Sequence, residues 1–250
     1  MANTQNETFT VYEGPSLIDG QPIVVLVQTG SKNRKTGDMV QTYILRSDID
    51  PISASRTGQD SSICGDCIHK GQPSDKAQGQ AIGRTCYVTL AHGPLGKWKA
   101  YKRGSYSSIS GHKDIAALGF GRMVRLGTYG DPCAVPNYIW ESLISRAQGH
   151  TAYTHGATNP MPQDIMTSAD SLPMAESAWN RGERTFRVIS ALADIVKGKE
   201  VLCPASEEAG KRVQCDKCKL CAGSSVKAKS VAIVAHGINK AKAKAMIGGN

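Results

Sequence analysis

Cys215, Cys218 and Cys221 stand at C-x2-C-x2-C spacing, and Cys203 precedes them in Cys-Pro-Ala-Ser. So little chain separates these sulfurs that unstrained disulfides between them are excluded, whereas the run wraps readily round a tetrahedral zinc or an iron–sulfur cube. The segment 203–221 is therefore expected to fold round a metal centre. The spacing alone leaves zinc and iron–sulfur both open.

A second group lies upstream, where Cys64-Gly65-Asp66-Cys67 is followed by Cys86-Tyr87, and Cys133 stands apart. No N-terminal stretch has the basic end and apolar run of a signal peptide, and no segment approaches the roughly 20 apolar residues that span a bilayer. A reducing cytoplasm is expected, in which cysteines stay available to metals. No membrane partner is expected.

With 40% apolar residues, the 250-residue chain has enough material for a substantial core. Its net charge of +9 favours polyanions. Lys97-Trp98-Lys99-Ala100-Tyr101-Lys102-Arg103 mixes cations with rings, as nucleic-acid surfaces do, although a solvated basic face has the same composition.

Residues 1–60 read as a β-rich segment, with short β-branched runs at 8–13, 22–29 and 41–46 and a turn over 30–37 containing Asn33, Lys35 and Gly37. From 50 to 83 the composition turns to Gly, Ser, Gln and Asp, which predicts a loop organised by Cys64 and Cys67. The second half alternates strand and helix. Strands are expected at 123–128, 150–155, 165–168, 184–189, 200–204 and 231–236, with helices at 136–148 and 172–181. Such alternation predicts an α/β fold with a parallel sheet, either curled or closed into a partial (β/α) barrel over 61–237. Residues 238–250, with Lys240, Lys242 and Lys244, read as a basic solvated tail or short helix.

Parallel sheets bind ligands at the carboxyl ends of their strands, and here those ends are polar. They present Thr128 and Asp131, Thr154 and His155, Ser168 and Asp170, Arg184 and Arg187, Cys203, and His236. Asp131, Asp170 and Ser168 also suit helix caps. Asp131, His155, Asp170, Arg187 and His236 are the candidate catalytic residues, expected round one pocket that takes a small polar or phosphorylated substrate. Thr128, Thr154 and Ser168 are the candidate cofactor contacts.

The succession Asp66-Cys67, Cys86-Tyr87, Arg125-Leu126-Gly127-Thr128-Tyr129-Gly130-Asp131, Tyr153-Thr154-His155, Ser168-Ala169-Asp170, Cys203-Pro204-Ala205 and the C-x2-C-x2-C run resembles the phage "gene product 88" family. That family is in turn similar to radical S-adenosylmethionine enzymes. The resemblance implies a partial barrel with a 4Fe-4S cluster on Cys64, Cys67 and Cys86 and a second cluster on Cys203, Cys215, Cys218 and Cys221. It implies S-adenosylmethionine as a further ligand, and the host cytoplasm as the location. One departure stands out: radical enzymes present C-x3-C-x2-C in one loop, whereas here Cys86 must complete the upstream set. Cys133, His69 and His92 are candidates for its fourth position. The alternative reading is a phage protein with structural zinc in both groups, binding nucleic acid through Lys97–Arg103.

Overall fold

The computed structural model describes residues 7–31, 34–156 and 165–248. Asn33 of the expected turn and the Gly249-Asn250 end lie outside the described residues. The N-terminal part is β1 (Thr8–Pro15), β2 (Pro22–Gln28), β3 (Val40–Arg46), α1 (Pro51–Thr57), α2 (Ser61–Cys64), α3 (Gly93–Lys102), β4 (Ser107–Ser108) and α4 (His112–Gly119). There follow β5 (Met123–Tyr129), α5 (Asn137–Ile144), β6 (Gly149–Thr151), β7 (Tyr153–Thr154), β8 (Met166–Ala169), α6 (Leu172–Asn180) and β9 (Thr185–Ile189). The chain continues through β10 (Glu200–Leu202), α7 (Cys215–Cys218), β11 (Ser230–Val234) and α8 (Lys240–Gly248).

Two sheets form the α/β fold. The first runs β4-β1-β2-β3-β5-β6, antiparallel through β1, β2 and β3 and parallel from β3 to β6. The second runs β10-β11-β9-β8-β7 and is parallel throughout. The unbroken apolar run Ile23 to Val27 in β2 is fully buried, as befits a strand covered on both faces. Helix α5 packs Ile139, Trp140 and Leu143 onto this core, and burying each aliphatic side chain contributes about 1.5–3 kcal/mol. It stops at Ile144, short of the expected 148, because Gln148 N is drawn to Arg122 O and leads the chain into β6.

The stretch 50–83 is not simply a loop, as its composition suggested. Asp50 Oδ1 accepts from Ile52 N at 3.0 Å and Ser53 N at 3.1 Å, and Pro51 opens α1. This aspartate cap followed by proline is a strong helix start. The C-terminal stretch is likewise structured: α8 buries Ala243 and packs on β9.

The expected strand 150–155 is divided between the sheets. β6 pairs with β5, β7 pairs with β8, and between them Ala152 N donates to Cys221 O at 3.2 Å. One short segment thus joins both sheets to the cysteine-rich loop.

Candidate metal centre and cavity

Alternation along β9 decides what faces the interior. Phe186 and Val188 line a cavity of about 360 Å³, while Thr185, Arg187 and Ile189 point to the other face of the sheet. Tyr153 of β7 stacks on Phe186 with ring centroids 4.3 Å apart. Ala243 of α8 lies over the same cavity. Cys67 and Cys86 from the upstream group, and Cys203, Cys215 and Cys221 from the C-terminal group, all line it.

The C-terminal group owes its placement to Arg184. Its guanidinium donates to the carbonyls of Leu220, Gly223, Ala228 and Lys229 at 2.7–2.8 Å, so one buried side chain pins the whole loop after Cys218. On the other side Cys215 N donates to Lys35 O at 3.0 Å. Gly37, at φ +67°, lies against Asp216, where a Cβ would fall 2.6 Å from the carboxylate, so only glycine fits. Burial, then the neighbouring Cys203, Cys215 and Cys218, push the Cys221 thiol up to about 12. Burial likewise raises Cys203 and Cys215, against the lowering influence of Lys35.

Arg125, a charged residue inside an apolar strand, reaches the cavity from β5, with the hydroxyls of Tyr87 and Tyr153 as acceptors. Burial works against its charge, while Tyr153, Tyr87, Cys215 and Cys221 favour it and hold its pKa above the ordinary value. Sequence reasoning did not select Lys35, Arg125 or Tyr153. The single Arg in Met-Val-Arg-Leu was the available signal.

In the upstream group, burial pushes the Cys64 thiol well up, and Asp60, Cys67 and Cys86 add to it. Cys86 is raised by burial while Arg84, close enough to donate to it, lowers it. Two buried polar atoms here have no hydrogen-bond partner, Tyr129 Oη and Asp60 Oδ2.

Asp131, His155 and Asp170 come together. His155 Nε2 lies 3.1 Å from Asp170 Oδ1, and its Nδ1 lies 3.6 Å from Asp131 Oδ2. Burial disfavours the imidazolium, but hydrogen bonds with Asp131, Asp170 and Cys67 outweigh it and hold His155 protonated well above its usual range. Asp131 also accepts from Cys133 N at 3.0 Å, so it caps the following turn as well. His155, Asp170 and His236 line the cavity; Asp131 stands behind His155. Arg187 stands apart, with Nε 2.9 Å and Nη2 2.7 Å from the Glu200 carboxylate on the opposite face.

Of the three candidate cofactor contacts, Ser168 lines the cavity. Thr128 Oγ1 donates to Gln41 Oε1 at 2.7 Å and Thr154 Oγ1 donates to Asp131. Among the candidates for a fourth upstream ligand, His69 lines the cavity with its Nδ1 2.8 Å from Thr85 Oγ1, His92 is exposed ahead of α3, and Cys133 is buried behind His155. The basic segment 97–103 turns part of its chemistry inward. Lys97 Nζ donates to Thr8 Oγ1 at 2.7 Å between the rings of Tyr43 and Tyr106, and Tyr101 Oη donates to Glu13 at 2.6 Å.

All eight cysteines are free. Among the described residues no three His, Cys, Asp or Glu side chains are arranged to hold a single metal ion. The donor chemistry nevertheless suits a thiolate-bound group: each set of sulfurs neighbours itself, cations stand beside both, and a partnerless buried hydroxyl lies next to the upstream set. Among the described residues no helix is long and apolar enough to cross a membrane.

Comparison with family models, curated proteins and solved structures finds no match to the chain.

Proposed function

We propose that this chain is a cytoplasmic iron–sulfur protein of phage type that performs electron-transfer chemistry on a small polar or phosphorylated molecule. In this reading the fold is a partial (β/α) barrel and resembles that of radical S-adenosylmethionine enzymes. The carrying observation is that two cysteine groups separated by more than a hundred residues line one cavity with His155, Asp170 and Arg125. Cys64, Cys67 and Cys86 would hold one 4Fe-4S cluster, and Cys203, Cys215, Cys218 and Cys221 the other. A cluster supplies an electron at low potential; a three-thiolate cluster leaves one iron for S-adenosylmethionine.

This chain's own residues supply the rest. His155, held protonated between two carboxylates, offers a hydrogen-bond donor to the substrate. Arg125 offers a fixed cation, and the stacked Tyr153 and Phe186 supply an apolar wall that limits water. A cluster of iron and sulfide needs thiolates spread round a volume, whereas zinc needs them to converge on a point. The sulfurs spread round a cavity favour the first.

Anaerobic purification with iron, zinc and acid-labile sulfide analysis tests the proposal. Iron and sulfide in comparable amounts with a brown chromophore support it. Stoichiometric zinc in a colourless protein without sulfide overturns it in favour of a structural zinc protein.

A further inference from the structure

Tyr129 closes β5, is 3% exposed, and its hydroxyl has no hydrogen-bond partner. A buried phenol normally finds a partner, because leaving its hydrogen bond unmade costs about 1–3 kcal/mol. The vicinity of this hydroxyl is defined by sulfur. Asp131 N donates to Ile63 O at 2.6 Å, which ties the end of β5 to the helix that carries Cys64. Tyr129 and Ile63 share one core cluster, with Cys64 packed against it. The charged and titratable groups nearest the phenol are Cys64, Asp60, Arg84 and Cys86. Arg84 Nη2 donates to Val88 O at 3.1 Å and its guanidinium also reaches the Cys86 thiol, so one donor already serves this group.

We infer that the Tyr129 hydroxyl donates to a sulfur of the upstream centre, the Cys64 thiolate or an adjoining sulfide, and so holds the cluster and raises its reduction potential. Tyr129 is a positioning residue in this role. The inference rests on the iron–sulfur reading above. Reduction adds negative charge to the cluster and its sulfurs, and a hydrogen bond to sulfur stabilises that charge, which makes the reduced state easier to reach. The same bond gives the phenol the partner it otherwise lacks.

Tyr129→Phe removes one oxygen and keeps the ring. Deleting a partnerless polar atom does not weaken the core, so the variant should fold. The test is an electron-paramagnetic-resonance redox titration of anaerobically purified protein, together with the rate at which a chelator removes iron. The expected result is an unchanged iron content, an upstream potential shifted to more negative values, and iron release faster by roughly 10- to 100-fold. An unmoved potential in an iron-loaded variant overturns the role of Tyr129 and leaves the iron–sulfur reading intact. Absence of iron and sulfide from the unsubstituted chain overturns both.

Discussion

Lys35 Nζ lies 3.2 Å from His236 Nε2, joining the loop ahead of β3 to the end of β11. Burial, reinforced by the Lys35 charge, keeps the His236 imidazole below its ordinary pKa and therefore neutral. Because Lys35 O also accepts from Cys215 N, one residue of the N-terminal segment braces the wall of the cavity and the start of the cysteine run together. Disturbing any part of this brace is expected to be felt at the thiols.

Arg184 is the sharpest point at which to test that. Arg184→Lys cannot reproduce a planar fork reaching four carbonyls. A loss of about 3 kcal/mol or more in denaturant unfolding is expected, accompanied by reduced metal content in the C-terminal group. Full stability with full metal content would show that the loop holds itself.

Cys218→Ala removes a thiol from the same loop. Metal-binding free energy here is also folding free energy, so a loss on the order of several kcal/mol, a lower melting temperature and lower metal content are expected. Cys133→Ala is the control, since Cys133 is buried against Asp131 and Thr154 and does not line the cavity. Its metal content should be unchanged.

Asp131 tests the acid limb of the stability curve. Burial opposes its ionisation, yet hydrogen bonds from His155, Thr154 and Cys133 N hold the carboxyl below its ordinary value of 3.8. A carboxyl depressed in the folded state contributes stability that is present above the unfolded value and lost as pH falls through the folded one. Asp131→Asn should cost about 2–3 kcal/mol at neutral pH, and the gap from the unsubstituted protein should narrow below about pH 4. Urea unfolding at several pH values measures this, and a gap constant with pH would disprove the assignment.

Lys97 makes the opposite case at alkaline pH. Burial lowers its pKa from 10.5 to about 8. Between those values the unfolded chain binds the extra proton, so stability from this group rises with pH. Relative to Lys97→Met, the unsubstituted protein should gain stability between pH 8 and pH 10. Parallel unfolding curves across that window would contradict it.

Much of the fold was legible because strand signals are local. The runs in β2, β3, β5, β9 and β11 carry their β-branched residues openly, and Ile139, Trp140 and Leu143 mark α5. Helix α1 was legible too, through Asp50-Pro51, but the polar composition of its surroundings masked it. Helix α3, Gly-Pro-Leu-Gly-Lys-Trp-Lys-Ala-Tyr-Lys, has no clear apolar stripe, so nothing periodic announces it. At the cavity, His155, Asp170 and His236 were readable as polar strand ends. Arg187 was not placed correctly by that logic, because it sits within β9 and the two-residue pleat turns it to the far face. Lys35 could not be found from sequence at all, since it meets His236 across 201 positions.

The segment from Gly149 to Thr154 serves two sheets with a single linking residue, Ala152. Side chains on a strand alternate, so one extra residue inserted there would reverse the facing of Tyr153 and the position of His155 while β6 stayed in register with β5. The stacked Tyr153–Phe186 pair, the Arg125 hydrogen bond to Tyr153 and the His155–Asp170 contact would be broken together. This six-residue stretch therefore tolerates substitution far better than any change in its length.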